Sequence, residues 1–272
     1  MNNSLVPAVT DADDYMITFS TKADGNMYRT NETRVAVHNN RLRFLRKCRV
    51  DPDNLFMIRT SHSPNVEAID REPGVFVKRT YLQRPVIETD FDHYYTGSDG
   101  AITFNRTLFI GLTSGDCVPV VLWDNLSGMH GILHVGLLGA LNGMVKVLPR
   151  IFDDTGVDLG NARFYLGPSI TQRNYDVSRS GLWTVISSQA YSNVASVGNF
   201  IIKDISGDHF DVRGLIVAKL EEIGVKRSQI QGYPHCVADP GSIFFSHNVL
   251  KVTGERGSFF SIIGPNHCDR GD

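Results

Sequence analysis

The stretch LFIGLTSGDCVPVVLWDNLSGMHGILHVGLLGAL, residues 108–141, decides how the rest of the chain is read. Two apolar runs, 118–123 and 131–135, read as buried strands, and Asn125, Ser127 and Gly128 supply turn chemistry between them. Cys117 opens the first run and His134 closes the second. Antiparallel pairing across a short turn brings the far ends of both strands together, because neighbouring strands lie about 5 Å apart. A thiol and an imidazole are therefore expected to face each other. Such a pair suits a soft metal ion or a Cys–His nucleophile. The structural alternative is a buried, inert cysteine beside a hydrogen-bonded core histidine, since free Cys is among the most buried residue types. Gly136, Gly139 and Gly143 follow, and the spacing predicts a helix over 137–152 that leaves the site.

Working outward, strands are expected at 16–20, 55–59, 75–78, 86–88, 101–104, 162–166, 200–203, 243–246 and 258–263. Helical spacing covers 32–48, 180–195 and 212–223, the last stopped by Gly224. His62 follows the strand at 55–59, at a strand-to-loop junction where functional side chains concentrate. His93-Tyr94-Tyr95 reads as an aromatic lid, and Arg41 on the first helix is a candidate anion contact. Residues 1–14 are polar and expected to be loose. No linker, repeat or low-complexity tract interrupts the remainder, so 15–265 is read as a single domain of class α/β (α+β), with central mixed-strand β layers flanked by helices.

Composition narrows the function. The chain has 272 residues, a net charge of -2 and ordinary apolar content, which gives no field suited to nucleic acid or an anionic membrane surface. No apolar run approaches the roughly 20 residues of a membrane span. The first residues lack a basic segment followed by an apolar one, and four scattered cysteines form no CxxC, so a cytoplasmic, reducing location is expected. There is no GxGxxG, GxxxxGK[ST], HExxH or GxSxG. The nine histidines include no His-x-His pair, the arrangement that blue-copper oxidases use in number.

Taken together, Thr60-Ser61-His62-Ser63, Ser114-Gly115-Asp116-Cys117-Val118-Pro119-Val120 and His134-Val135-Gly136-Leu137-Leu138-Gly139, with the further segments below, resemble the bacterial laccase-domain family, also called polyphenol oxidase-like or purine nucleoside phosphorylase proteins. Ser114-Gly115-Asp116-Cys117-Val118-Pro119-Val120 is similar to the family's Thr-Ala-Asp-Cys-Leu-Pro-Val and is the most specific match. His134-Val135-Gly136-Leu137-Leu138-Gly139 stands where the family has His-Ala-Gly-Trp-Arg-Gly. Asn40-Arg41, Thr60-Ser61-His62-Ser63, Ser98-Asp99-Gly100-Ala101-Ile102-Thr103, Gly167-Pro168-Ser169-Ile170, Tyr175-Asp176-Val177, Cys236, Phe244-Phe245-Ser246 and Thr253-Gly254 follow in the family's order.

The resemblance implies a fold akin to cytotoxic-necrotizing-factor-like cysteine hydrolases. It also implies a metal held by His62, Cys117 and His134, a set that suits Zn²⁺ with one open position and that Cu²⁺ could also occupy. Cys117, His134 and Asp116 are the implied catalytic residues, with Arg41 and Arg256 on the substrate side. The implied function is a metal-dependent purine nucleoside enzyme that takes adenosine or inosine, with phosphorolysis or adenosine deamination as the reaction. A copper-dependent phenol oxidase, a Cys–His hydrolase or deamidase, and a degenerate metal-binding protein are the alternatives. The expected partners are small molecules, a nucleoside and phosphate. The chain departs from the family where arginines are expected: Leu138, Asn248 and Val249 take their places, and Glu255 precedes Arg256. Arginine supplies bidentate phosphate contacts, so phosphorolysis is expected to be the weakened activity.

Overall fold

A computed structural model describes residues 6–7, 14–28, 33–72, 75–81, 95–96, 98–178, 197–204, 207–248 and 257–266. The strand predicted at 86–88, the helix at 180–195, His93 and Tyr94 of the aromatic segment, Thr253-Gly254 and Arg256 lie outside the described residues.

The deciding stretch folds as a hairpin. Strand β9 (Val118–Trp123) pairs antiparallel with β10 (His130–Val135), and every residue of both is buried. Such double-sided burial explains why both strands read as continuous apolar runs rather than alternating ones. They form the middle of a seven-stranded sheet of order β14-β11-β9-β10-β7-β4-β5. Its other members are β4 (Val66–Glu72), β5 (Val75–Tyr81), β7 (Gly100–Thr103), β11 (Arg163–Leu166) and β14 (Ile230–Gly232).

A second, six-stranded sheet has the order β1-β2-β15-β8-β3-β6. It comprises β1 (Val6–Pro7), β2 (Tyr15–Phe19), β3 (Leu55–Arg59), β6 (Tyr95–Thr96), β8 (Phe109–Ser114) and β15 (Phe259–Pro265). Both sheets mix parallel and antiparallel neighbours. A small ribbon of β12 (Ile201–Asp204) and β13 (Gly207–Phe210) stands apart. One core cluster takes side chains from both large sheets, including Phe19, Phe56, Val120, Trp123, Leu133 and Phe164. Burying each such side chain contributes roughly 1.5–3 kcal/mol before conformational entropy is charged against it.

Helices are few. α1 (Arg34–Lys47) starts at Thr33, whose hydroxyl accepts from Ala36 N, and buries Val37, Phe44 and Leu45. α4 (Val212–Glu222) is capped by Asp211 and lays Leu215, Ile216 and Leu220 on the core. The single helix predicted over 137–152 is instead broken. α2 (Leu137–Leu141) stops before Gly143, whose φ of 77° is left-handed and ends the run. A 3₁₀ turn, Met144–Val147, leads into α3 (Leu148–Thr155), with Pro149 in its first turn, where a missing N–H is harmless.

The strand expected at 243–246 does not form. Phe244 is buried there against Tyr233 and Phe259, but no ladder accompanies it. Its polar groups find isolated partners instead: Ile243 O accepts from Lys22 N, Phe244 N–H donates to Ser242 Oγ, and Ser246 turns its hydroxyl to Asp116. An apolar run marks burial, and burial by a loop gives the same signal. Strands β1, β4, β6, β8, β13 and β14 were not anticipated; β1, β6, β13 and β14 are short, and β4 carries four charged residues in seven. No helix of the described residues is long and apolar enough to cross a membrane.

Candidate metal centre

The register of the central sheet builds the site. His134 pairs with Pro119 and Val135 with Val118, so Cys117, one residue before β9, lies beside the end of β10. On the other flank Leu133 pairs with Gly100, which sets Asp99 beside His134, and the His134 N–H donates to the Asp99 carbonyl at 2.6 Å. β4 pairs parallel with β7, Val66 against Gly100. The chain between β3 of one sheet and β4 of the other therefore passes the same point, carrying Ser61, His62 and Ser63.

These placements bring His62, Cys117 and His134 together, with one ligand-type atom from each lying within 4.8 Å of the others. The His62 and His134 rings meet edge to face, centroids 5.2 Å apart. His134 is buried, Cys117 half-buried and His62 exposed, so the cluster opens to solvent on the His62 side. A tetrahedral ion with bonds near 2.0–2.3 Å spaces its N and S ligands about 3.5 Å apart. The cluster matches that donor chemistry, and small side-chain adjustments reach the spacing. Among the described residues no other group of three such side chains forms.

Asp99 completes the arrangement. Its carboxylate is wholly buried, and Oδ1 lies 2.9 Å from His134 Nδ1. The backbone N–H groups of Ser61, His62 and Ser63 and the Ser61 hydroxyl all donate to the same carboxylate at 2.6–3.1 Å. With Nδ1 occupied, Nε2 is the His134 nitrogen left to act as ligand. His62 adopts φ 60°, rare for a residue with a side chain, and the N–H contacts to Asp99 hold it there.

The electrostatics follow from this packing. Burial alone would raise the Cys117 thiol, but the charged His134 ring and hydrogen bonds from both imidazoles overcome it and bring it down to about 6. Burial alone would lower His134, but the Cys117 thiolate and the Asp99 hydrogen bond push it up to about 10. His62 is raised, chiefly by its hydrogen bond to Cys117. Asp99 is held below the usual carboxylate range, because hydrogen bonds from His134 and the loop amides outweigh its burial. Without metal the site is thus a thiolate facing imidazolium.

The other predicted residues sit differently. Asp116 points its carboxylate at the 246–248 segment, accepting from Ser246 Oγ at 2.6 Å and Asn248 N at 2.9 Å, and burial raises it. Arg41 grips the Met27 carbonyl with Nε and Nη2, next to the α1 cluster of Met27, Phe44, Phe109 and Phe260. Leu138 and Asn248 are half-buried; Val249 lies outside the described residues. Cys48 and Cys236 are free buried thiols.

Sequence reading assigned no role to Asp99, Tyr175 or Gly136. Tyr175 lies close enough to Cys117 and Asp116 for their charges, after burial, to raise its phenol. Gly136 is where a Cβ would stand 2.6 Å from Cys117 Sγ. The available signal for Asp99 was an acid immediately before a buried strand, with a histidine nearby in need of a partner.

A two-sheet mixed α+β fold with a His-Cys-His cluster at the strand ends defines a class of metal-associated proteins. The chain belongs to the family described as multi-copper polyphenol oxidoreductase laccase, whose model matches residues 20–265. Three similar proteins illustrate the family. Purine nucleoside phosphorylase Rv2149c of Mycobacterium tuberculosis is 28% identical over 162 residues, 59% of this chain and 60% of that protein, so the match spans only part of its length. Adenosine deaminase RL5 from an unknown prokaryotic organism is 26% identical over 76% of this chain and 74% of its own. Purine nucleoside phosphorylase Cgl2154/cg2365 of Corynebacterium glutamicum is 25% identical over 81% and 79%. Among solved structures, YlmD from Geobacillus stearothermophilus matches with TM-score 0.75 at 20% identity, covering 93% of both chains. Bacillus licheniformis YfiH matches with TM-score 0.74 at 20% identity, covering 96% of this chain and all of that one.

Proposed function

We propose that this chain is a metal-dependent enzyme of purine nucleosides that acts by hydrolysis more readily than by phosphorolysis. The observation that carries the reading is the meeting of two imidazoles and one thiolate on a solvent-open edge. Three protein ligands with an open fourth position are the pattern of catalytic metal sites, whereas structural sites close all four. Support for the substrate class comes from relatives named purine nucleoside phosphorylase and adenosine deaminase.

His62, Cys117 and His134 would hold the ion, and a bound Zn²⁺ would supply a nucleophilic water near neutral pH and polarise the atom under attack. Cys117 brings the negative charge that draws a divalent cation into a half-buried edge. His134 is kept in its ligating tautomer by Asp99. Tyr175 places a neutral phenol beside the cluster, able to donate one hydrogen bond or to stack on a base. The chain offers no arginine at 138 or 248 to receive phosphate.

A single ligand cluster among the described residues argues against laccase chemistry, because four-electron reduction of oxygen calls on several coppers. One observation favours a second reading. Asp99, His134 and Cys117 also align as orienter, base and nucleophile, the layout of a cysteine hydrolase. Both readings use the same thiolate, so metal excludes the nucleophile. The test is turnover of adenosine, inosine and a phenol by metal-loaded and chelated protein. Chelator-sensitive release of inosine from adenosine, or of hypoxanthine from inosine without added phosphate, supports the proposal. Nucleoside turnover that survives metal removal and disappears on thiol alkylation overturns it in favour of the hydrolase.

A further inference from the structure

We infer that Asp99 is a positioning residue that sets both imidazoles of the metal centre at once. The inference rests on the metal-site reading above and goes beyond it by assigning the group that assembles the site.

His62 and His134 come from different sheets, one from the crossover after β3 and the other from the end of β10. Nothing in sequence spacing fixes their separation. The Asp99 carboxylate bridges them: Oδ1 bonds the His134 ring nitrogen and the His62 backbone N–H, each at 2.9 Å. Oδ2 takes the Ser63 N–H at 2.6 Å and the Ser61 hydroxyl at 3.1 Å. Three successive N–H groups converging on one anion form a nest, a concavity made for negative charge. Here the protein's own side chain fills it, and filling it holds His62 in its left-handed conformation. The carboxylate also has a charge role. A divalent cation on Cys117 thiolate would leave one positive charge at a half-buried edge, and Asp99 balances it.

Asparagine in place of Asp99 separates these roles by hydrogen-bond count. An amide has one acceptor oxygen and one donor nitrogen. If its oxygen serves the nest, its NH₂ faces His134 Nδ1, which must then accept. The His134 proton moves to Nε2, and the ligating nitrogen is lost. If its oxygen serves His134, the NH₂ faces the N–H groups of Ser61 and Ser63 and the nest opens.

The experiment is Co²⁺ titration followed by visible absorption, with Zn²⁺ competition for affinity. It compares the wild-type chain with Asp99→Asn, Ser61→Ala and the surface control Asp70→Asn. Outer carboxylates that orient metal-bound histidines are typically worth 10–100-fold in affinity. We expect that loss in Asp99→Asn, with the thiolate-to-cobalt band kept and the ligand-field bands altered by the missing nitrogen. Ser61→Ala removes one donor to Asp99 without touching a ligand, and we expect about threefold weaker binding at an unchanged melting temperature. Asp70→Asn should match wild type. Affinity and ligand-field bands in Asp99→Asn within threefold of wild type would overturn the inference. If Asp99→Asn does not fold, wild-type affinity in Ser61→Ala overturns it instead. Absence of Co²⁺ binding in the wild type would defeat the metal-site reading itself, a distinguishable result.

Discussion

The missing side chain at Gly136 is what gives Cys117 its room: a Cβ there would stand 2.6 Å from Sγ and 3.7 Å from the His62 ring. Gly136 has φ −87°, a conformation any residue adopts, so its requirement is steric rather than conformational. Sequence placed it in the stretch His134-Val135-Gly136 without showing what it faces.

Gly136→Ala should therefore displace the sulphur and leave the fold intact. Overpacking of this kind costs about 1–3 kcal/mol, which at the metal site corresponds to roughly 5- to 150-fold weaker binding. Competition titration with a chelating dye measures it. Wild-type affinity in the variant would show that the thiol tolerates the contact.

Asp116 should behave as an anchor. Its carboxylate fastens Ser246 and Asn248, so Asp116→Ala leaves a buried donor unmet and should lose about 1–3 kcal/mol of stability. Asp116→Asn keeps an acceptor and discards a buried charge, so its loss should stay under about 1 kcal/mol. Calorimetry with parallel metal titration separates the two. Loss of metal in Asp116→Asn without loss of stability would place Asp116 in the site instead.

The metal-free protein should titrate unlike a free thiol. Cys117, at about 6, lies below its ordinary value of 9.0, so its contribution to stability is complete above 9.0 and is lost as pH falls through about 6. His134, at about 10, lies above its ordinary 6.5, so its contribution is complete below 6.5 and is lost as pH rises through about 10. Metal-free stability should thus peak between about 6 and 10, and Cys117→Ser should flatten that profile. Thiolate absorbance at about 240 nm, taken as the difference between wild type and Cys117→Ser, should rise with a midpoint near 6. A midpoint near 9 would contradict the ion pair.

Much of the site was legible because strand pairing is a short-range inference. Val118–Trp123 forms as read, and the hairpin register that sets Cys117 beside His134 follows from a short turn. His62 stood out by its place at a strand end, but its role as a ligand beside Cys117 and His134 was reachable only through family likeness, since its approach depends on β4 lying parallel to β7, a pairing that no local pattern encodes. Asp99 was hidden for the same reason. The break of the helix at Gly143 was visible as a glycine but looked tolerable inside an apolar repeat. The false strand at 243–246 came from Phe244, an aromatic buried by a loop.

Restoring a cation should restore phosphate use. Leu138 is half-buried on α2, directly after the Gly136–Leu137 turn beside the site. Leu138→Arg, alone and with Asn248→Arg, should raise phosphate-dependent release of free base severalfold over wild type. Product chromatography at fixed phosphate reads this. No gain in either variant would mean that phosphate, if it binds, is received elsewhere.

The most direct measurement is adenosine and inosine turnover across a phosphate titration, with and without chelator, with products separated by chromatography. Each lost charge-assisted contact to phosphate is worth roughly 1.5–3 kcal/mol, so two losses weaken phosphorolysis by about 10²–10⁴-fold. The expected result is chelator-sensitive turnover whose rate does not change with phosphate and whose products carry no sugar phosphate. Strong phosphate-dependent release of free base and ribose 1-phosphate would contradict the account.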